Sequence, residues 1–109
     1  HEENLISVNS VRLDDWLDEE SLSSIDLLLI DTQGSELDVI KSLGDKLKNV
    51  KNIILEGQYV ELYEGTPLIY EIDDYLRGHN FKLISKNLER ISNKLFNNFY
   101  YKNLDNKIV

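Results

Sequence analysis

Residues 25–43, IDLLLIDTQGSELDVIKSL, place the tightest constraint on the fold of this chain. In an extended segment Leu27 and Leu29 point to one side and Leu28 and Ile30 to the other, with no polar alternation. A strand over Asp26–Asp31 is therefore expected to be buried on both faces, which calls for covering layers above and below a sheet. The run stops at Asp31, turns through TQGS and becomes helical at Ser35, where Leu37, Ile40, Leu43 and Leu47 recur at spacings of three and four. Gly44 is placed to break or cap that helix, leaving Leu47 in a following turn.

A second apolar strand follows in VKNIILEG, where Ile53, Ile54 and Leu55 lead to Glu56. Two such strands joined by a helix make a βαβ unit, and its near-universal right-handed crossover sets them parallel with their carboxyl ends at one rim. Asp31 and Glu56 are thereby expected side by side, since neighbouring strands lie ~4.8 Å apart. Downstream, Pro67 is suited to open a helix whose apolar stripe is Leu68, Ile72, Tyr75 and Leu76, with Gly78 as its stop. FKLIS and LFNNFYYK read as two antiparallel strands, because the polar KNLERISNK between them has no helical period. Residues 1–25 form a lead-in, with an extended stretch around Ser7–Val11 and a short helix in LDDWLDEE that carries its acids early and anchors on the sheet through Trp16. The whole is one α/β domain over 1–109, with residues 26–109 as its sheet and helices.

Charge narrows the partners. Twenty acidic residues against twelve basic ones leave −8, and no Lys/Arg run is dense enough to follow a phosphate backbone, so nucleic acid is not expected. The aromatic group Phe96, Phe99, Tyr100 and Tyr101 suits alternating strand faces better than a base-stacking platform. Without cysteine there is no disulfide framework or thiolate zinc site, and no segment approaches the ~20 apolar residues of a membrane span, so a cytoplasmic setting without membrane contact is expected. The chain lacks methionine and begins HEENLISVNS, which reads as a piece of something longer. Asp14–Asp15 and Asp73–Asp74 read as solvated helix faces, and His79 as a helix-end residue meeting the dipole.

VRLDDWL, IDLLLIDTQGSELDVIKSL, VKNIILEG, LYEGTP and YLRGHNFKLIS, in that order, resemble the C-terminal half of the FkbM family of S-adenosylmethionine-dependent methyltransferases. The spaced string I-D-x-x-x-I-D-x-x-G-x-E carries most of the likeness. Leu29 departs from a lysine usual in the family and Gln33 from a frequent glutamate. The resemblance implies a class I, Rossmann-like sheet of order 3-2-1-4-5-7-6, of which this chain supplies strands 4-5-7-6 with the last inserted strand antiparallel. The family's glycine-rich cofactor loop and the acid after its second strand have no counterpart, for Gly34, Gly44, Gly57, Gly65 and Gly78 are too scattered to form one. The chain alone is thus expected to bind S-adenosylmethionine weakly or not at all and to be inactive, while its parent transfers a methyl group to a hydroxyl of a sugar or small metabolite. Cutting the sheet there is expected to bare the edge of the Asp26–Asp31 strand, a template for homo-oligomers.

Asp31, beside the place where the strand order reverses, is the expected catalytic residue, accepting a hydrogen bond or a proton from the acceptor hydroxyl. An Asx turn onto the Gln33–Gly34 backbone is the competing role. Gln33, Glu36, Glu56, Gln58 and Tyr59 are the expected acceptor-binding residues, although an acid at Glu36 also suits a helix start whatever the function. Asp31 and Glu56 have oxygens suited to a hard cation, but two acids do not define a metal site and none is expected. A non-catalytic assembly module completed by a partner chain is the alternative. A phospho-acceptor receiver domain is disfavoured, because no acidic pair precedes Asp31 on an earlier buried strand.

Overall fold

The computed structural model describes residues 5–8, 24–32, 34–59, 68–86 and 96–105. They form a mixed α/β fold: β1 (Leu5–Val8), β2 (Leu27–Ile30), α1 (Glu36–Ser42), a 3-10 turn (Gly44–Asn49), β3 (Asn52–Gln58), α2 (Ile69–Gly78), β4 (Phe81–Lys86) and β5 (Phe96–Asn103). The five strands make one sheet in the spatial order β1-β2-β3-β5-β4. β2 and β3 run parallel through Leu28–Ile53, Leu29–Ile54 and Ile30–Leu55, and β5 runs antiparallel to both β3 and β4.

Two expectations are corrected. β1 pairs in parallel with β2 along its whole length, from Leu5–Leu27 to Val8–Ile30, so the Asp31 strand is flanked on both sides and offers no free edge for self-association. The lead-in strand lies at Leu5–Val8, where Ile6 pairs with Leu28, and residues 9–11 of the expected Ser7–Val11 stretch lie outside the described residues. Nor is β2 buried on both faces: Leu28 and Ile30 are sealed, whereas Leu29 is 41 % exposed. The physical reason is that α1 and α2 touch each other and pack on the same face. On that face Leu28, Ile30, Ile53, Leu55, Phe99 and Tyr101 meet Val39, Ile40, Ile69, Ile72 and Leu76. The other face presents Leu5, Leu29 and the half-buried Ile54. The helix expected in LDDWLDEE, Trp16, Pro67 and the NLERISNK connection lie outside the described residues.

Local chemistry sets the ends of the elements. Gly44, at φ +54°, ends the α1 segment and turns the chain into the 3-10 turn that buries Leu47. α2 opens at Leu68, whose N–H donates to the Glu71 carboxylate at 2.9 Å. It ends at Gly78, as the sequence suggests, and Asn80 beyond it takes the left-handed conformation at φ +68°. His79 sits at that end, its Nδ1 2.8 Å from the Tyr75 carbonyl and its ring stacked on Tyr75. Gly57 lets α2 come down on the sheet, because a Cβ there would stand 2.5 Å from Ile69 Cδ1 and 2.9 Å from Phe99 Cε1.

Asp73 is not the solvated acid its sequence context suggests. Its Oδ1 accepts the Tyr101 hydroxyl at 2.7 Å and its Oδ2 accepts Arg77 Nε at 2.6 Å, which ties α2 to the buried side of β5. Burial, seconded by the Asp73 hydrogen bond and charge, pushes the Tyr101 phenol well above the usual range. The folded chain therefore keeps a proton that the unfolded chain releases above about pH 10, so the contribution is intact below that pH and lost as pH rises. Tyr101→Phe should cost about 1 kcal/mol at neutral pH. It should also flatten the alkaline loss by up to about 1.4 kcal/mol per pH unit. Urea unfolding of both proteins from pH 8 to 11 reads the difference, and parallel alkaline limbs would refute the assignment.

Candidate functional site

Register at one end of the β2–β3 pair places the acids at the other. Lys51 Nζ lies 2.7 Å from Asp26 Oδ1, and Asn52 Nδ2 donates to the Asp26 carbonyl at 2.8 Å. Asn52 Oδ1 in turn accepts the Tyr100 hydroxyl at 2.6 Å, so β2, β3 and β5 are pinned together where the two parallel strands begin. From there the ladder runs to Ile30–Leu55, and the next residues are Asp31 and Glu56. Glu56 also pairs with Asn98 of β5.

These three polar residues line one cleft of about 400 Å³, together with Leu29, Ile30, Ile54 and Leu55. The volume lies within the range of small-molecule sites. The cleft opens on the face away from the helices, at the carboxyl ends of two parallel strands, where α/β sheets bind their ligands. Its floor is apolar and its rim carries two carboxylates and an amide. Leu29, the residue that departs from the family's lysine, is part of that floor, which leaves the cleft without a basic group among the described residues.

The turn after β2 has its own carboxylate. Glu36, at the first position of α1 and only 3 % exposed, folds back over the turn. Its Oε2 accepts the Thr32 N–H at 3.2 Å and the Thr32 hydroxyl at 3.0 Å, and its Oε1 accepts the Gly34 N–H at 3.0 Å. Gly34 itself lies at φ +118°, open to glycine and strained for other residues. The Asx turn weighed for Asp31 is therefore not formed at Gly34, because Glu36 takes that N–H. Asp31 is exposed and has no hydrogen bond or ion pair among the described residues.

The remaining expected residues divide. Gln58 is buried at the end of β3. Tyr59 packs against the core, with its ring edge on Phe99 at 5.9 Å and tilted on Tyr70 at 6.5 Å. Gln33 lies outside the described residues. Asn98 escapes sequence reasoning; only the register of an antiparallel strand, invisible in a single sequence, brings it beside Glu56.

No group of three or more metal-ligating side chains occurs among the described residues. At the turn after β2 the Gly34 N–H is already engaged by Glu36. Among the described residues no helix is long and apolar enough to cross a membrane.

Comparison with known proteins adds a family. Residues 1–83 match the model of the methyltransferase FkbM domain. Over 81 residues the chain is 42 % identical to the 2-O-methyltransferase NoeI of Sinorhizobium fredii, a match covering 74 % of this chain and 32 % of that protein. The chain thus spans about a third of the length of the curated relative it matches. No solved structure matches.

Proposed function

Because this chain belongs to the FkbM methyltransferase family, we propose that it forms the acceptor side of an S-adenosylmethionine-dependent O-methyltransferase acting on a hydroxyl of a sugar or other small metabolite. The observation that carries the reading is the convergence of Asp31, Glu56 and Asn98 on one cleft at the carboxyl ends of β2 and β3. The relative described as a 2-O-methyltransferase supports oxygen as the accepting atom. In this reading Asp31 accepts a hydrogen bond from the acceptor hydroxyl and takes its proton as the oxygen gains the methyl group. Glu56 and Asn98 orient neighbouring polar groups of the acceptor, while Leu29 and Ile54 exclude water beneath it. Gln33, Gln58 and Tyr59 remain proposed contributors to the acceptor pocket.

S-adenosylmethionine, the proposed methyl donor, is gripped by a part of the parent protein outside these residues. In this reading β2-β3-β5-β4 take the places of strands 4-5-7-6 of a class I methyltransferase sheet, and β1 pairs with β2 on the side where that sheet has its first strand.

One experiment with two arms tests the proposal. The full-length protein, supplied with methyl-labelled S-adenosylmethionine and a panel of hydroxylated sugars and metabolites, should place label in a base-stable ether. Calorimetry of S-adenosylmethionine against the 109-residue chain should show no measurable heat of binding. Label only on nitrogen or on a carboxyl ester would overturn the acceptor assignment, and low-micromolar binding by the short chain would overturn the division of labour.

A further inference from the structure

We infer that Glu36 is a positioning residue, which takes the Thr32 and Gly34 donors of the turn after β2 and so keeps them from the Asp31 carboxylate beside the cleft. The inference rests on the reading of Asp31 as the cleft's working carboxylate, but its test involves no methyl transfer and so fails separately from that reading.

An aspartate at the end of a strand, followed by a glycine turn, ordinarily uses its own carboxylate to cap the turn. Here the Thr32 and Gly34 donors of the turn go to a different side chain. Glu36 reaches back from α1 and takes three donors, the Thr32 N–H, the Thr32 hydroxyl and the Gly34 N–H, with both of its oxygens engaged. It is buried against the turn while Asp31, five residues earlier, is exposed beside Glu56. A carboxylate buried against the turn it caps is not presented to a ligand, whereas an exposed one lining the cleft is. The two acids are thereby divided between holding the backbone and meeting the acceptor. The division also explains the spacing: a glutamate two residues beyond the glycine is long enough, and close enough to the helix start, to reach both Thr32 and Gly34.

The consequence is read from scalar couplings across hydrogen bonds, which link an amide nitrogen to the carboxyl carbon that accepts from it. In the wild-type chain the Gly34 nitrogen should couple to the Glu36 carboxyl carbon, and Asp31→Asn, at an exposed position, should leave that coupling in place. In Glu36→Gln one acceptor oxygen becomes an N–H donor, so the coupling at Gly34 should weaken or pass to the Asp31 carboxyl carbon. A Gly34 nitrogen that couples to the Asp31 carboxyl carbon in the wild type, or that loses its coupling in Asp31→Asn, would overturn the inference. That arm holds even if Glu36→Gln does not fold.

Discussion

On the proposed reading, Asp31→Asn should lower kcat for methyl transfer by the full-length protein by about 100-fold or more, the usual contribution of a positioned general base. The acceptor KM should change far less. Asparagine keeps the shape of the side chain and one hydrogen-bonding oxygen, so it can still orient a hydroxyl, but it cannot take the proton as the oxygen is alkylated. The variant should fold normally, because Asp31 is exposed and makes no hydrogen bond or ion pair among the described residues, and surface changes of that kind cost within about 0.5 kcal/mol. Glu56→Gln provides the contrast: a group that orients the acceptor without taking its proton should raise KM and leave kcat closer to wild type. Steady-state rates of methyl transfer for both variants decide the matter. A kcat within about threefold of wild type in Asp31→Asn would remove Asp31 from the chemistry.

Asp31 is legible in the sequence through the contrast of periods around it. Four apolar residues without alternation, a glycine turn and a switch to helical spacing fix β2, the turn and α1 together, and the crossover rule then supplies the parallel β3 and brings Asp31 and Glu56 to one cleft. The same reasoning fails for β1. LISV is four residues long with no turn signal linking it to a partner, and its parallel pairing with β2 is a long-range choice that no local pattern encodes. The exposure of Leu29 is hidden for a related reason: an all-apolar strand says what it tolerates, while the placement of both helices on one face decides what is covered. Asp73 reads as one of a solvated pair because its partner, Tyr101, is contributed by a strand 28 residues away. Glu36 carries a faint signal, since a carboxylate two residues past a glycine can reach back to the turn, but the sequence alone does not separate that from a general preference for acids at a helix start.

The one-sided core leads to the second large effect. Ile53→Ala should destabilise the chain by about 2–5 kcal/mol, whereas Leu29→Ala, in the neighbouring strand, should cost less than about 1 kcal/mol. Ile53 is fully buried on the central strand, with Leu28 beside it on β2 and Tyr101 on β5, and its side chain belongs to the cluster that includes Val39, Ile40, Ile72 and Leu76. Truncation to the Cβ opens a cavity that the two helices cannot fill without leaving Leu28 or Tyr101. Leu29 faces the cleft instead and is already 41 % exposed, so its truncation removes little area from contact. For a domain of this size several kcal/mol is a large share of a total near about 5–15 kcal/mol, so Ile53→Ala should shift the urea midpoint strongly and leave a measurable unfolded population at about 37 °C. Equal losses in the two variants would mean that the Leu29 side carries as much of the core as the helix side. The cleft would then be a packed interior instead of an acceptor site.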